Sequence, residues 1–207
     1  MRILYNLLMV IIIIFSPVIV FYRILKKKEN PKRFLEKFGF FQKKRANGKL
    51  IWFHCSSVGE LLSIAPLIER FEKDIDIKSI LISTSTLSSS KIFEKFKFKK
   101  TIHQFYPIDN PLIVNKFLCY WKPAAVFFVE SEIWPEMLRG LKRKKIKTFL
   151  LNARISKNSF YRWKYFKDFG VSVFGIFDYI FPQNRETFNY LKHFKVKKMK
   201  LLGNLKF

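Results

Sequence analysis

Carboxylates and small hydroxylated residues follow the ends of several hydrophobic runs in this sequence. The first run stops within FHCSSVGELL (53–62), where Ser57, Gly59 and Glu60 precede a helical pattern of apolar residues. Gly59 permits a ligand to approach the backbone closely. Two roles stay open for Glu60. It stabilises the first turn of a helix, an effect of about 0.3–1 kcal/mol, or it takes a proton from a bound substrate.

A hydroxyl-rich turn follows the second run. The stretch TSTLSSS (84–90) begins with Thr84, Ser85 and Thr86 and again precedes a helical pattern. Hydroxyls at such a position cap the next helix, or bind a phosphate or the hydroxyls of a sugar. The residues alone leave both roles open.

Two acids follow the most hydrophobic run, in ESEIWP (130–135). On an extended chain Glu130 and Glu132 face the same way. Two carboxylates at the mouth of a buried strand are costly unless they are paired or used. Arg154, in a later NAR triplet, is a candidate partner for one of them.

The spacing of the usual ligand residues gives no support to metal or nucleotide chemistry. His54, His103 and His193 have no metal-ligand spacing, and neither GxGxxG nor GxxxxGK[ST] occurs. Cys55 and Cys119 form no CxxC pair, so Cys55 is predicted to be a buried thiol. We therefore predict neither a metal nor a bound cofactor.

The elements that must position these groups alternate between apolar runs and amphipathic stretches. Candidate strands occupy 50–54, 79–84, 101–105, 124–129, 147–152, 178–182 and 199–202, and candidate helices about 59–72, 87–98, 111–121, 135–145, 159–168 and 184–193. Continuous apolar runs are typical of parallel strands buried on both faces. The alternation predicts an α/β, Rossmann-like domain with a doubly wound sheet, whose ligand site lies at the carboxyl ends of its strands.

A membrane anchor is predicted at the amino terminus. Residues 3–22 carry no charge, and a bilayer span needs about 20 apolar residues. The lysine-rich stretch 23–33 follows, which predicts a single pass with the next domain on the cytoplasmic side. We expect an anchor with its basic segment at 1–33, a linker at 34–49 and the globular domain at 50–207.

The formal net charge of +25 favours an anionic partner. A phospholipid surface, a phosphorylated substrate and a nucleic acid all fit, and a drift towards AT-rich codons inflates lysine as well. The apolar span and the carboxylates at strand ends argue against nucleic acid, and we predict no nucleic-acid partner.

Taken together, the motifs resemble those of the Kdo (3-deoxy-D-manno-octulosonic acid) transferases of lipopolysaccharide synthesis. SSVGE, YPIDNP, ESEIWP, NARIS, PQN and GNLKF occur in that family's order and spacing. The resemblance implies a GT-B glycosyltransferase on the inner (cytoplasmic) membrane. Its amino-terminal half binds the lipid A precursor, and its carboxyl-terminal half binds the donor, CMP-Kdo.

The resemblance also implies roles for individual residues. It makes Glu60 the general base that deprotonates the acceptor hydroxyl, and Glu130 and Lys206 stabilisers of the transition state. The predicted substrate-binding residues are Ser57, Gly59, Thr84, Ser85, Thr86 and Arg154.

The sequence departs from the family pattern in two places. Ser88 and Ser89 stand where a Thr-Gly pair is common, and the chain ends just after GNLKF, where the resemblance places the start of the donor-binding domain. We therefore expect an acceptor-binding half that transfers Kdo only with a donor-binding partner. A fragment, a separately encoded half and a truncated gene all stay open. The alternative function is a non-catalytic, membrane-anchored remnant that binds lipid A.

Overall fold

A computed structural model describes residues 2–205, so Lys206 lies outside the described residues. Six parallel strands form one sheet in the order β3-β2-β1-β4-β5-β6. They are β1 (Leu50–His54), β2 (Ser79–Thr84), β3 (Thr101–Phe105), β4 (Ala125–Val129), β5 (Lys147–Ala153) and β6 (Tyr179–Pro182). This order is that of a doubly wound sheet, as predicted.

Eight α-helices accompany the sheet in the described part of the chain. They are α1 (Arg2–Leu25), α2 (Val58–Lys73), α3 (Leu87–Phe93), α4 (Pro111–Trp121), α5 (Pro135–Arg143), α6 (Lys157–Tyr165), α7 (Lys167–Phe174) and α8 (Arg185–His193). A short 3-10 helix (Phe34–Phe38) lies between α1 and β1.

Both faces of the sheet are buried, because the side chains of its central strands are apolar on each face. On one face Trp52 and Phe128 pack in a core with residues of α4, α5, α7 and α8. On the other, Phe53 and Ile82 pack against α2. Trp52 is fully buried, and its indole N–H donates to the Ser83 hydroxyl at 2.8 Å, so the large ring leaves no polar atom unsatisfied.

Polar residues after the strands cap the helices that follow. The side chains of Ser57, Thr86, Asn110, Ser156 and Asn184 each accept a hydrogen bond from a backbone N–H in the first turn of the next helix. The capping role that the sequence left open for the hydroxyl-rich turn is therefore present in the fold.

Three predicted elements differ from the structure. Residues 199–202 form no strand, because only Met199 bridges to Ile180 before the chain becomes exposed. Helix α3 ends at Phe93 instead of residue 98. The predicted helix 159–168 is two helices, α6 and α7, separated by Phe166, whose ψ of 53° is not helical.

Helix α1 contacts the globular part near both of its ends. Near its start the Tyr5 hydroxyl donates to Asp109 at 2.6 Å, and near its end Arg23 pairs with Glu29 at 3.1 Å. Its segment Leu7–Leu25 has a mean hydropathy of 2.6 and is long and apolar enough to cross a membrane, by length and composition.

The segment predicted as a linker begins with structure of its own. Glu36, in the 3-10 helix, is fully buried, pairs with Arg33 at 2.7 Å and accepts the Phe105 N–H at 2.8 Å. Phe41 packs against the core. The 3-10 helix is therefore attached to β3, the edge strand of the sheet, whereas Phe41 packs on α4.

Candidate functional site

The strand order reverses between β1 and β4, and doubly wound folds have their ligand-binding crevice beyond the carboxyl ends of two such strands. Glu60 follows β1, while Glu130 and Glu132 follow β4. We call these three carboxylates, with His54 at the end of β1, the strand-end site. The predicted acids therefore meet at the point where doubly wound folds bind ligands.

Glu60 lies in the first turn of α2 and is 8% exposed. One carboxylate oxygen accepts the Ser56 N–H at 2.8 Å and the other accepts the Ser57 hydroxyl at 2.8 Å, while the Glu60 N–H donates to Ser57. This reciprocal arrangement is a form of capping box. Each oxygen keeps a lone pair for a further donor, so the cap and a role as base are compatible.

Burial raises the pKa of Glu60 above its ordinary value, and the charges of Glu132 and Glu130 act in the same direction. The hydrogen bonds from Ser56 and Ser57 oppose this effect without cancelling it. A carboxylate with a raised pKa is a stronger base when it is ionised.

Glu130 occupies the left-handed region of backbone conformation, with a φ of +56°. For a residue other than glycine this costs about 1–2 kcal/mol. The turn is held because its N–H donates to the Leu151 carbonyl at 2.9 Å and its carbonyl accepts the Arg154 N–H at 3.3 Å. Strain of this kind is found where the surrounding structure fixes a functional residue.

Glu132 pairs with His54, a residue to which the sequence analysis gave no role. The two side chains meet at 2.9 Å, and the Trp134 indole N–H donates to the same oxygen of Glu132 at 2.8 Å. Burial, the largest single influence, acts to raise the pKa of Glu132. The hydrogen bonds that Glu132 accepts from His54 and Trp134, together with the electrostatic effect of His54, outweigh burial, so the pKa of Glu132 is lowered. The sequence signal that could have identified His54 is its position as the last residue of β1, beside the crevice.

Arg154 does not take the predicted place beside the acids. Its side chain is exposed, and within residues 2–205 it forms no ion pair with Glu130 or Glu132. Its contacts with this region are through the backbone, where its carbonyl accepts the Ser131 hydroxyl at 2.8 Å. Glu132 bonds to His54 instead.

The predicted substrate-binding residues differ in how accessible they are. Ser57, Gly59 and Thr86 are exposed and Ser85 is half-buried. Thr84 is fully buried, and its hydroxyl bonds to His103 at 2.9 Å. Burial lowers the pKa of His103 to about 3, and the Arg33 charge adds to the effect, so this histidine is neutral at ordinary pH.

Asp109, in YPIDNP, is a second residue whose role the sequence analysis missed. Its carboxylate accepts the N–H groups of Glu136 and Met137 at 2.9 and 2.7 Å, at the start of α5. It also accepts the Tyr5 hydroxyl. Burial raises the pKa of Asp109, and these three hydrogen bonds limit the rise.

Leu205, the last described residue, lies at the same edge of the sheet. The Leu205 N–H donates to the Asn152 side-chain oxygen at 3.2 Å, and Asn152 lies on β5, next to the β4 strand that Glu130 follows. Cys55, in contrast, is the buried thiol that we predicted, and burial raises its pKa well above the ordinary value. Within the described residues no three His, Cys, Asp or Glu side chains are placed to hold a metal ion.

Known proteins resemble this chain in sequence and in fold. Residues 32–207 match the family described as 3-Deoxy-D-manno-octulosonic-acid transferase (kdotransferase). A 3-deoxy-D-manno-octulosonic acid transferase of Rickettsia bellii is 34% identical over 190 residues, which cover 92% of this chain and 45% of that protein. A probable mitochondrial 3-deoxy-D-manno-octulosonic acid transferase of Arabidopsis thaliana is 37% identical over 142 residues, covering 69% of this chain and 32% of that protein.

Solved structures bear on the fold alone. The UDP-GlcNAc 2-epimerase of Neisseria meningitidis matches with a TM-score of 0.55 at 15% identity, covering 76% of this chain and 47% of that one. The UDP-N-acetylglucosamine 2-epimerase of Rickettsia bellii gives 0.54 at 16% identity, covering 77% and 46%. These likenesses confirm the predicted fold class, a Rossmann-like domain of the GT-B type.

The chain spans less than half of the length of the two transferases compared above. The family match nevertheless covers most of the chain and contains every motif that follows the predicted strands. On this sequence similarity, the chain belongs to the 3-deoxy-D-manno-octulosonic acid transferase family.

Proposed function

We propose that this chain is the acceptor-binding half of a Kdo transferase, which transfers Kdo from CMP-Kdo to the lipid A precursor, lipid IVA. The observation that carries the proposal is the position of Glu60. Its carboxylate lies at the switch point of the sheet, is 8% exposed and has a raised pKa. A base at this position faces the crevice in which doubly wound folds bind their substrates.

In the proposed reaction Glu60 removes the proton from an acceptor hydroxyl. The hydroxyl oxygen then forms a bond to the anomeric carbon of Kdo, while the bond from that carbon to the CMP phosphate breaks. Negative charge develops on the departing phosphate, where a cation lowers the barrier. We assign this role to Lys206 and assign Glu130 to stabilising charge on the sugar. No metal or other cofactor takes part.

The proposed acceptor contacts involve exposed or half-buried groups around Glu60. Ser57, Ser85 and Thr86 lie on the two turns that follow β1 and β2, and Gly59 lies in the first turn of α2. Arg154, exposed at the end of β5, is available for an anionic group of a substrate. Thr84, whose hydroxyl is already bonded to His103, is proposed to contribute by shaping the turn.

We further propose that α1 anchors the protein in the inner membrane as a single pass, with the domain on the cytoplasmic side. The apolar segment Leu7–Leu25 and the lysines at positions 26–28 support this assignment. The donor, CMP-Kdo, would be bound by a carboxyl-terminal half. The two relatives compared above are long enough to contain such a half.

One observation also favours a second candidate function. Both oxygens of Glu60 already serve the cap of α2, so Glu60 has a structural reason to be present without catalysis. A non-catalytic, membrane-anchored protein that binds lipid A fits this observation equally well.

A transfer assay separates the two candidates. Kdo transfer to lipid IVA is measured in membranes with the 207-residue chain alone and together with the separately expressed carboxyl-terminal half of the Rickettsia bellii relative. Transfer that appears only when this half is added supports the acceptor-binding half of an enzyme. No transfer in either case, from a folded chain that still binds lipid IVA, supports the binding protein.

A further inference from the structure

Glu132 is a carboxylate of the strand-end site to which the proposed reaction gives no part. Glu60 accepts two hydrogen bonds from the turn that precedes it. Glu132 accepts one from the His54 ring at 2.9 Å and one from the Trp134 indole at 2.8 Å, and the Ser56 hydroxyl also donates to it. Such an investment of donors in a second carboxylate calls for a role, because a buried acid is costly unless it is paired or used.

The His54 ring is fixed by contacts on its face and its edges. It is fully buried, stacks on Tyr106 with 3.8 Å between the ring centroids, and meets Phe128 edge to face at 5.8 Å. Its Nδ1 lies 3.0 Å from the Ser83 hydroxyl oxygen. Because packing and a hydrogen bond together hold the ring, its Nε2 stays directed at Glu132.

Ser83 allows His54 to donate to Glu132 in either protonation state of the ring. An ionised carboxylate accepts hydrogen bonds and donates none, so Nε2 of His54 carries the proton in this contact. The Ser83 hydroxyl can donate to a bare Nδ1, and the Ser83 carbonyl, 3.1 Å away, can accept a proton from Nδ1. The neutral ring and the imidazolium therefore both find partners while Nε2 donates to Glu132.

Ser56 joins Glu132 to Glu60, because its N–H donates to Glu60 at 2.8 Å and its hydroxyl donates to Glu132. Burial is the main reason why the pKa of Glu60 is raised, and the charge of Glu132 adds to the effect. Burial also acts to raise the pKa of Glu132, but the hydrogen bonds from its donors outweigh burial and lower it. Neighbouring acids whose pKa values are shifted in opposite directions take different roles in catalysis.

We propose that His54 is a positioning residue that keeps Glu132 ionised beside Glu60, so that Glu60 is the carboxylate that takes the proton of the acceptor. The fixed charge of Glu132 makes Glu60 a stronger base. His54 is fully buried and therefore acts through Glu132. The inference rests on the proposed function and adds two residues to the machinery that carries it out.

Three further titratable groups in the described part of the chain face the two carboxylates. They are Cys55, Tyr106 and Glu130. Burial raises the pKa of Cys55 and of Tyr106 well above their ordinary values, so both are neutral in the working range of an enzyme. The charges that act on Glu60 from this side are therefore those of Glu130 and Glu132.

The test follows the titration of both carboxylates in the full 207-residue chain in detergent, with no donor and no transfer. The chain is labelled with ¹³C at the side-chain carboxyl carbon of glutamate. The NMR signals of Glu60 and Glu132 are assigned by their loss in the Glu60→Gln and Glu132→Gln variants. We expect Glu60 to titrate at a higher pH than Glu132, and the reverse order would overturn the proposal.

Glu132→Gln removes the neighbouring charge and should move the titration of Glu60 about half to one pH unit lower. The acid limb of kcat/KM, measured with a carboxyl-terminal half added, should move by the same amount. Glu72→Gln is the matched control, because Glu72 lies in the same helix, α2, about 18 Å along its axis from Glu60. It removes an equal charge and should shift the titration of Glu60 by less than about 0.2 pH unit. Equal shifts in the two variants, or none in Glu132→Gln, would overturn the proposal.

Two substitutions of His54 test its action on Glu132. His54→Phe keeps a ring on Tyr106 but removes the donor, so Glu132 should titrate about one pH unit higher. His54→Gln retains an amide donor and should recover at least about half of that shift. A purely structural His54 would lower the stability of both variants and leave the titration of Glu132 unchanged, and that result would overturn its role. The Glu132→Gln measurement stays decisive for the charge on Glu60 even if His54→Phe does not fold.

This inference and the proposed function fail in different experiments, because the titrations are read without transfer. The expected titrations together with an absence of Kdo transfer would reject only the proposed function. Kdo transfer whose acid limb stays in place in Glu132→Gln would reject only the roles of His54 and Glu132.

Discussion

Glu60→Gln separates the two roles of Glu60, because catalysis and capping depend on it to different extents. The amide cannot take a proton, so we expect kcat for Kdo transfer to fall by about 10²–10⁴-fold in the chain supplemented with a carboxyl-terminal half. That loss corresponds to about 2.7–5.4 kcal/mol of transition-state stabilisation.

The expected effect of the same substitution on folding is smaller. The glutamine oxygen still accepts one of the two hydrogen bonds from Ser56 and Ser57, and the loss of the other costs about 0.5–1.5 kcal/mol. Removal of a buried charge acts in the opposite direction. We therefore expect the free energy of unfolding to change by about 1 kcal/mol or less.

A capping loss elsewhere provides the control. Ser156 caps α6 by accepting the Ser159 N–H at 3.2 Å, and within the described residues its side chain bonds to none of the carboxylates of the strand-end site. Ser156→Ala should lower the stability by about 0.5–2 kcal/mol and leave turnover unchanged. If Glu60→Gln instead keeps turnover within about threefold of the wild type, well short of the loss of a general base, the reasoning on Glu60 is refuted.

The pH dependence gives an independent test of the same assignment. The pKa of Glu60 is raised above 4.5, so the acid limb of the kcat/KM profile should lie above that pH. As the pH falls through the raised pKa the base becomes protonated, and the rate falls. The residual activity of Glu60→Gln should lack this limb. A limb of unchanged position in the variant would assign it to another group.

Three further outcomes follow from the contacts described above. Tyr5→Phe leaves Asp109 with one donor fewer and should lower the free energy of unfolding by about 1 kcal/mol, and an unchanged melting temperature in detergent would contradict that contact. Folding lowers the pKa of Glu132, so the contribution of Glu132 to stability is full above its unfolded pKa and is lost as the pH falls through its folded pKa. Urea unfolding of the Glu132→Gln variant should therefore lose part of the pH dependence that the wild type shows below about pH 5. Gly140→Ala would place a Cβ 2.9 Å from the side chains of Leu118 and Val114. The overpacking should cost about 1–3 kcal/mol and exceed the gain in helix propensity of about 1 kcal/mol. Chemical denaturation should therefore show a loss of stability, whereas the same substitution in an exposed helix would give a gain.

Local sequence signals predicted the strands well. All six strands begin and end within one residue of the predicted bounds, because buried parallel strands are continuous apolar runs with polar residues directly after them. The same rule predicted that Glu60 and Glu130 would approach each other. Residues 199–202 also include apolar residues, but after the single bridge from Met199 to Ile180 they pair with no strand. Composition alone does not show whether a partner strand is present.

The missed residues depend on contacts between distant segments. His54 and Glu132 are 78 residues apart in sequence and meet because β1 pairs with β4. Asp109 caps α5 from 27 residues away. Strand order decides both contacts, and strand order follows from packing that no single window of sequence contains. Arg154 was assigned to the acids by charge alone, whereas its backbone, not its guanidinium, faces them.

Asp109 joins the position of α1 to the geometry of the strand-end site. Its carboxylate holds Tyr5 and, at the same time, the first N–H groups of α5, the helix that begins where the loop carrying Glu132 ends. A helix that lies in the membrane interface keeps all three donors on this carboxylate, whereas a helix that crosses the bilayer removes one of them. Under the proposed membrane anchoring, the insertion of α1 and the seating of α5 therefore share one group, and by linkage each biases the other to the same extent.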